Sequence, residues 1–482
     1  MKMKPWILLL SCWAAFVIGP MAQADDPAAS QTVQRQPNKQ RPNIVLIMAD
    51  DLGYECVGAN GGTSYKTPNL DRLASGGMRF QHCHSQPLCT PSRVKLMTGL
   101  YNKRNYEKFG SLPSGQRTFS QVLQQAGYRT CVVGKWQLGG GLDGPGHFGF
   151  DEYCLWQVDR RPERYPNAGL EANGQRLDFT KGEFGPDVVS DFACQFIEAN
   201  KQQPFLVYYP MILTHCPFCP TPGTADYDPQ DKGSKTYKGD AKYFGDMVTH
   251  MDKIVGKIER QLIESGVRDN TLILFTGDNG TDKPVVSRMG DREVIGGKGK
   301  MDDTGTHVPL IANWPGQIQA NQVSDRLVDF SDFFPTVCQV AGVSLAPSWH
   351  LDGQSFLGEL TGQGGPGRDW IYVWYARNGG REGKEWARDQ RFKLYGDGRF
   401  FDVKNDPTEQ RPAVSTQSLS SQSAKVAHRK LSQVLKGHED IRPQEVAAVG
   451  EKWKAAQEEK KKKQNQKKQN QKKQNQKKET GK

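Results

Sequence analysis

The chain has 482 residues, of which 24% are charged and 36% hydrophobic, so it is long enough for one large folded core with an appended segment. Its formal net charge of +11 is concentrated at the ends, because residues 452–482 contribute +10 and residues 1–24 contribute +2, which leaves −1 for residues 25–451. A nearly neutral body lacks the basic surface that would indicate a nucleic-acid-binding protein.

The N-terminal segment has the pattern of an export signal. Two lysines precede a short apolar run that ends at Met21, and an Ala-Gln-Ala cleavage site precedes Asp25. Because the run is short and contains Gly19 and Pro20, cleavage is favoured over a membrane anchor. We therefore predict a signal peptide over residues 1–24 and a secreted or periplasmic protein without a stable membrane span.

The next segments predict a disordered leader and then an α/β core. Residues 25–40 are rich in Gln, Pro and Asn, a composition that does not support a packed core. From Arg41 onward, short apolar runs alternate with helical segments, which indicates a mostly parallel central sheet flanked by helices. The predicted strands are Ile44–Met48, Thr130–Val133, Phe205–Tyr209, Leu272–Thr276 and Leu310–Ala312. The predicted helices are Thr118–Ala126, Pro186–Asn200, Ala241–Ser265 and Asp329–Ala341.

The pattern changes at about residue 350. Short apolar segments joined by Gly-rich turns predict a smaller antiparallel sheet, with strands Ile371–Tyr375, Phe392–Tyr395 and Arg399–Val403. The chain ends in Gln-Asn-Gln-Lys-Lys repeated three times from Gln464 to Lys478, which predicts a solvated, disordered tail. The predicted units are a catalytic α/β domain over 41–349, a C-terminal subdomain over 350–412, and a polar helical segment with the tail over 413–482.

Polar residues follow four of the predicted strands. They are Asp50 and Asp51, Lys135, His215, and Asp278 with Asn279. Because ligands bind outside the carboxyl ends of strands in open parallel sheets, we expect these side chains to meet at one edge of the sheet. Three carboxylates and one amide carbonyl form a hard oxygen site that suits calcium, or magnesium, better than zinc. A cation would also relieve the repulsion between adjacent acids.

The most specific string is Cys89-Thr90-Pro91-Ser92-Arg93. Pro91 can start a helix, which would place residue 89 near a positive helix N-terminus and make an anion site there. The spacing alone leaves open a buried or disulfide-bonded cysteine, because the sequence identifies no paired base for a thiol nucleophile.

The Cys-x-Pro-Ser-Arg string resembles the signature of the formylglycine-dependent sulfatases, in which the cysteine is oxidised after translation to an aldehyde. Further motifs resemble that family in order over residues 41–410: Asp50-Asp51-Leu52-Gly53, Gly134-Lys135-Trp136, His215-x-Pro217, Gly277-Asp278-Asn279-Gly280, Gly297-Lys298-Gly299 and Asp406-Pro407-x-Glu409. The resemblance implies an alkaline-phosphatase-like fold, hydrolysis of sulfate esters such as those of sulfated polysaccharides, and a formylglycine-generating or sulfatase-maturating enzyme as partner.

The resemblance also implies a role for each matched residue. The hydrated aldehyde at position 89 would be a geminal diol, in which one hydroxyl attacks sulfur and the other later expels sulfate. Arg93 would hold the diol and the metal-site carboxylates. Lys135 and Lys298 would neutralise the sulfate oxygens, and His215 would protonate the leaving alcohol or hold sulfate. The implied metal ligands are Asp50, Asp51, residue 89, Asp278 and Asn279, and their calcium ion would act as a Lewis acid.

The chain departs from the family pattern at two positions. The family usually has His after Gly-Lys-Trp, where it serves as the base that deprotonates the second hydroxyl, and this chain has Gln137. Gln137 is predicted to contact substrate, but an amide does not accept a proton at working pH, so the breakdown step is expected to be slow. His307 stands where the family often has Arg.

Two other functions stay open at this point. The first is a phosphodiester or phosphonate monoester hydrolase of the same fold, because phosphoryl oxygens suit the same cationic groups. The second is a non-catalytic binder of sulfated polymers, in which Gln137 marks the loss of chemistry.

Overall fold

The computed structural model describes residues 41–231, 239–365, 367–412 and 421–479. The predicted signal peptide over 1–24 and leader over 25–40 lie outside the described residues, as do residues 413–420 at the start of the predicted C-terminal segment. Within the described ranges, no helix is long and apolar enough to cross a membrane.

The elements alternate along the chain as an α/β fold requires. The strands are β1 Asn43–Ala49, β2 Met78–His84, β3 Arg129–Lys135, β4 Glu152–Trp156, β5 Gly169–Ala172, β6 Gln175–Asp178, β7 Phe205–Pro210, β8 Thr271–Gly277, β9 Val286–Met289, β10 Arg292–Ile295, β11 His307–Asn313, β12 Gln322–Asp329, β13 Ile371–Tyr375, β14 Lys384–Arg388, β15 Phe392–Tyr395 and β16 Phe400–Asp402. The helices are α1 Pro68–Ser75, α2 Cys89–Thr98, α3 Asn102–Asn105, α4 Phe119–Gln125, α5 Gly144–His147, α6 Gly185–Asn200, α7 Phe244–Glu264, α8 Asp303–Thr306, α9 Phe333–Val340, α10 Leu357–Leu360, α11 Gln422–Gly437 and α12 Gln444–Glu479.

Ten strands form one twisted sheet in the order β12-β2-β11-β8-β1-β7-β3-β4-β5-β6. The central strand β1 pairs in parallel with β7 and β8, and β3 continues the parallel arrangement beyond β7. Helices cover both faces, so strand β1 is apolar from Ile44 onward: Ile44 and Leu46 belong to one hydrophobic cluster, and Val45 and Ile47 belong to the other. The predicted α/β class with a mostly parallel sheet is confirmed.

One predicted strand has a different direction from the one expected. Leu310–Ala312 lies in β11, which runs antiparallel to both β8 and β2. Strand β8 ends at Gly277, and the chain between it and β11 contains the β9–β10 hairpin and the short helix α8. A parallel return needs a crossover to the opposite edge of the sheet, and this segment makes none, so β11 runs back from the edge where β8 ends.

The C-terminal region contains the predicted small antiparallel sheet, in the order β13-β14-β15-β16. The sequence reading missed β14, in which the buried residues Trp386 and Ala387 are preceded by charged residues. It also made the last strand too long, because Arg399–Val403 contains strand only from Phe400 to Asp402.

The chain terminus differs from the disordered tail that the repeat predicted. Helix α12 continues through the repeat to Glu479, and its described side chains from Lys454 to Gln469 are exposed. Lys, Gln and Glu are good helix formers, and no Gly or Pro interrupts the chain between Gly450 and Glu479. The helical conformation of this segment is therefore explained by the helix propensity of its residues and not by packing against the rest of the protein.

Candidate active site

The carboxyl ends of the central strands meet at one edge of the sheet and carry the predicted polar residues. Asp50 and Asp51 follow β1, Asp278 follows β8, and Lys135 is the last residue of β3. The backbone N–H of Asp51 donates to Asp278 Oδ1 at 3.0 Å, which joins the ends of β1 and β8. Helix α2 begins at the same edge with Cys89, and ligand atoms of Asp50, Cys89 and Asp278 lie within 4.8 Å of one another.

The carboxyl groups are completely buried and close together, which perturbs their ionisation. Burial and the neighbouring Asp50 raise the pKa of Asp278 to about 8. Burial raises the pKa of Asp51 to about 6, although Lys298 opposes the shift. Burial also disfavours the charge on Asp50, but Lys135 and Arg93 outweigh it and hold the pKa of that carboxyl below its usual value. A divalent cation at the cluster would favour the ionised forms of Asp51 and Asp278, whose pKa values are raised.

Two buried oxygen atoms support a cation at this position. Asp50 Oδ1 and Asn279 Oδ1 are buried without a hydrogen-bond partner among the described residues. The amide nitrogen of Asn279 donates to Asp51 Oδ1 at 2.8 Å. Unpartnered buried oxygens are costly, and a hard cation with oxygen ligands would satisfy them. The residues present therefore fit a calcium or magnesium ion.

Three cationic side chains surround the carboxyl cluster. Lys135 Nζ lies 2.6 Å from Asp50 Oδ2, and Lys298 Nζ lies 2.5 Å from Asp51 Oδ2. Arg93 lies 3.4 Å from Asp278 Oδ2 and also donates to the backbone oxygen of Lys135. Each lysine is thus anchored on one side by a carboxylate, which positions it for an anion on the other.

Cys89 is the first residue of α2, and it is buried and free of disulfide bonds. Its Sγ donates to Gln137 Oε1 at 2.8 Å, and the Thr90 hydroxyl donates to the same oxygen at 3.3 Å. Burial raises the pKa of the Cys89 thiol, so an unmodified thiol here is a poor nucleophile at neutral pH. Gln137 adopts a left-handed backbone conformation with φ 55°, which turns its side chain toward residue 89.

His215 lies beside the two carboxyl groups that follow β1. Its Nε2 lies 3.8 Å from Asp51 Oδ2, and its Nδ1 lies 2.8 Å from Arg164 Nη1 and 2.5 Å from Cys216 O. Burial lowers the pKa of His215 well below its usual value, and Lys298 and Lys135 lower it further. The imidazole is therefore neutral at working pH.

Arg164 is the site residue that the sequence reading missed. Its side chain is 3% exposed and its guanidinium lies over the Trp156 ring, 4.0 Å from the centroid. It lies in a long loop after β4 that contains no recognisable motif, so no local signal could have found it. His307, in contrast, is stacked between Tyr54 at 4.1 Å and His84 at 5.0 Å, and its Nε2 donates to Gln81 O at 2.8 Å, outside the carboxyl cluster.

Comparisons with known proteins agree with this geometry. A family model described as Sulfatase matches residues 42–343, and one described as N-sulphoglucosamine sulphohydrolase, C-terminal, matches residues 297–437. Arylsulfatase G of Rattus norvegicus is 31% identical over 395 residues, which cover 70% of this chain and 72% of the relative.

Solved structures share the fold over most of the chain. The structure of Ps i-CgsB is 26% identical in sequence and has a TM-score of 0.71, and the match covers 84% of this chain and 94% of the Ps i-CgsB chain. That protein has also been determined in complex with k-i-k-neocarrahexaose. Phosphonate monoester hydrolase of Agrobacterium radiobacter, at 20% identity, has a TM-score of 0.62 and covers 83% and 96%. The Sulfatase model spans more than half of the chain and includes every residue of the carboxyl cluster, so the chain belongs to the sulfatase family and is a sulfuric ester hydrolase.

Proposed function

We propose that this sulfuric ester hydrolase acts on sulfated carbohydrates, using formylglycine made from Cys89 and a calcium ion held by Asp50, Asp51, Asp278 and Asn279, with magnesium as the alternative ion. The observation that carries the proposal is the position of Cys89, at a helix N-terminus with its Sγ within 4.8 Å of carboxyl oxygens of Asp50 and Asp278. The carbohydrate part rests on the relative Ps i-CgsB, which has been determined in complex with k-i-k-neocarrahexaose.

The carboxyl cluster would hold the cation, with residue 89 completing the ligand set. When bound, the cation supplies Lewis acidity toward a sulfate oxygen, and formylglycine supplies the nucleophilic oxygen of its hydrate. The Cys89 sulfur stands where an oxygen of the modified side chain would lie. Arg93, whose charge is fixed by Asp278 and Asp50, would hold that oxygen and the carboxylates in place.

The cationic residues would bind the sulfate group. Lys135 and Lys298 are directed into the site by their carboxylate partners, so they would neutralise sulfate oxygens as negative charge moves onto them. The N-terminus of α2 adds partial positive charge from its free backbone N–H groups. These groups are buried, and their interactions with an anion are strengthened by the exclusion of water.

His215 would carry the proton for the leaving alcohol. Nδ1 lies 2.8 Å from Arg164 Nη1 and 2.5 Å from Cys216 O, and these two contacts hold the ring with Nε2 on the side of the carboxyl cluster. In the tautomer that carries the ring proton on Nε2, the neutral imidazole would donate one hydrogen bond to the ester oxygen or to sulfate. Arg164 therefore acts by orienting His215.

Gln137 would orient residue 89 through its amide oxygen, which accepts the hydrogen bond from Sγ. An amide holds a hydroxyl in place but does not remove its proton. Gln137 would therefore support the attack of the diol on sulfur, but it would not act as the base when the sulfated diol releases sulfate. The neutral amide at position 137 also keeps a non-catalytic binder of sulfated polymers as a second candidate, which would bind its ligand and carry out neither chemical step.

Export would place the enzyme with extracellular substrates. We propose cleavage before Asp25 and a secreted or periplasmic location, and a formylglycine-generating or sulfatase-maturating enzyme would act on Cys89. The N-terminal sequence of the mature protein, purified from the exported fraction, is expected to begin at Asp25. A mature protein that retains residues 1–24 in the cytoplasm would contradict the proposal.

The function is tested by measuring product release from an aryl sulfate, an aryl phosphodiester and a panel of sulfated glycans. We expect sulfate release to exceed phosphodiester cleavage, and Cys89→Ala to abolish it. The matched control is Cys338→Ala, at another buried free cysteine in α9, which should leave turnover unchanged. Preferred turnover of the phosphodiester would favour the alternative hydrolase, and glycan binding without any sulfate release would favour the binder.

A further inference from the structure

Helix α12 carries a dense run of lysines that the catalytic site does not use. From Lys460 to Lys478 the sequence contains ten lysines and no acidic residue, and we name residues 460–478 the lysine segment. Its described lysines, at positions 460–463, 467 and 468, are all exposed. Lys463 pairs with Glu459 at 2.6 Å, one turn nearer the helix start. At 1.5 Å per residue the segment is about 28 Å long.

The start of α12 is fixed to the body of the enzyme. Arg442, two residues before the helix, donates to Lys103 O at 2.9 Å, Tyr106 O at 3.0 Å and Gly380 O at 2.5 Å, and it lies over the Trp374 ring at 4.3 Å. One turn into the helix, Ala447 is buried. The helix is therefore held in one position where it leaves the surface, instead of hanging from a free linker.

This anchor contacts the loop after α3, which in turn contacts the start of α2. The backbone of Gly450 packs so closely on that loop that a Cβ there would lie 2.7 Å from Glu107 O. Three residues further along the loop, the N–H of Gly110 donates to Thr90 Oγ1 at 3.2 Å. Thr90 is next to Cys89, and its hydroxyl donates to Gln137. Two contacts and two short stretches of chain thus join the helix start to the residue proposed to react.

We propose that the lysine segment binds sulfated polysaccharide and holds it beside the catalytic site. This inference rests on the proposed function for its choice of polymer. The segment begins ten residues beyond Gly450, about 15 Å along the helix axis. A linear polyanion that lies along the segment and is longer than this distance would therefore reach the anchored start of the helix, which is joined through the loop after α3 to Thr90 and Cys89. Clustered exposed charges of one sign attract polyanions and raise their local concentration.

Other polyanions fit the segment less well. No apolar residue follows Ala456 in the helix, so it has no face to insert into an anionic membrane. The segment contains no aromatic side chain for stacking on bases and no arginine for their edges. Sulfate groups require only charge and hydrogen-bond donors, which lysine supplies.

Two matched variants of the full-length enzyme test the proposal. One replaces all ten lysines of the segment by Gln, which removes the charge, and the other replaces them by Arg, which keeps it. Both residues are good helix formers, so circular dichroism should be alike in the two variants. Fluorescein-labelled dextran sulfate is the binding probe, with uncharged dextran as the blank, and an aryl sulfate reports the catalytic site.

We expect the Gln variant to bind dextran sulfate at least about tenfold more weakly than the native enzyme, and the Arg variant to bind as the native enzyme does. Native binding should weaken strongly between about 0.05 and 0.5 M salt. Dextran sulfate should inhibit aryl sulfate turnover, and this inhibition should weaken in the Gln variant by the same factor. Turnover of the aryl sulfate alone should be equal in all three proteins.

Equal binding of dextran sulfate by the native and Gln proteins would overturn the proposal. So would inhibition that stays unchanged while binding is lost, because the segment would then not serve the catalytic site. Tighter binding to anionic phospholipid vesicles or to duplex DNA of equal charge would assign the segment to another partner and also overturn it. The proposed function is tested separately by sulfate release, and it fails if no substrate releases sulfate. The binding assay does not depend on sulfate release, so it tests the lysine segment in either case.

Discussion

Without the proposed cation, Asp278 is expected to contribute stability that is lost as the pH rises. In the cation-free protein, burial and the neighbouring Asp50 raise the pKa of Asp278 from 3.8 to about 8. Between these two values the folded protein keeps a proton that the unfolded chain has released. Unfolding then releases a proton, so a higher pH favours the unfolded state, and the stability contribution is lost as the pH rises through the folded pKa.

The magnitude follows from the linkage of proton binding to folding. A proton bound only in the folded state changes the free energy of unfolding by about 1.4 kcal/mol per pH unit, so the interval from about pH 6 to about pH 8 costs at most about 3 kcal/mol. For a chain of this length that free energy corresponds to a fall of about 3 °C in Tm. The buried histidines act in the opposite direction over this interval, because burial lowers the pKa of His307 to about 4 and that of His215 well below its usual value, so unfolding binds protons at these residues. The contribution of Asp278 is therefore read from the difference in slope between the native protein and a variant without this carboxyl group.

The assay is thermal unfolding in a chelator at several pH values, repeated with saturating calcium. Calcium would bind the ionised carboxylates, so it should raise Tm most at the upper end of the interval. Asp278→Asn removes the ionisable group, so in chelator its Tm should fall less, or rise more, with pH than that of the native protein. Asp397→Asn, at an exposed position before β16, is the matched control and should keep the native slope. A slope in chelator that is equal in Asp278→Asn and in the native protein would refute the reasoning.

Three further substitutions test separate parts of the molecule. Cys89→Ala should abolish sulfate release, and mass spectrometry of the active native enzyme should find an aldehyde at position 89; full activity with an unmodified thiol would contradict this role. Gln137→His should convert an initial burst of alcohol followed by slow turnover into steady turnover, because a general base contributes about 10²–10⁴-fold. Rapid-quench kinetics with an aryl sulfate would reject this if the native enzyme shows no burst and is faster than the variant. Lys95→Met should lower the free energy of unfolding by about 3–5 kcal/mol, since it leaves Asp329 without its buried partner at 2.6 Å. Denaturant unfolding with a loss below about 1 kcal/mol would show that the pair is dispensable.

The position of the carboxyl cluster could be predicted from the sequence because it depends on local patterns. Asp50 and Asp278 each follow a strand that is apolar on both faces, and parallel strands in one sheet end at the same edge. The N-terminal position of Cys89 on α2 could likewise be predicted from Pro91, which is compatible with the first turn of a helix. In each case, a few neighbouring residues determine the local structure.

Features that depend on distant parts of the chain could not be predicted in this way. Arg164 reaches His215 from a loop 51 residues away, and no spacing or periodicity connects the two. The antiparallel direction of β11 depends on how the segment after Gly277 returns to the sheet, and strand composition does not encode it. The repeat from Gln464 to Lys478 was predicted to be disordered because it is hydrophilic, but it is helical. Low hydrophobicity indicates only that a segment is not buried, and it does not determine the backbone conformation.

The charge balance of the proposed site explains how a neutral amide at position 137 is compatible with the binding of an anion. Three buried cationic side chains face three carboxyl groups, so a bound divalent cation with all three carboxyls ionised leaves an excess of about +2. A bound sulfate ester would offset part of this excess positive charge. The negative charge that develops as the ester bond breaks would offset more of it, so the site would stabilise the transition state more than the bound substrate. Gln137 keeps the excess constant at every working pH, whereas a histidine there would add positive charge on protonation. Anion binding therefore does not require a histidine at this position, and its absence affects only the proton transfer that a base would perform.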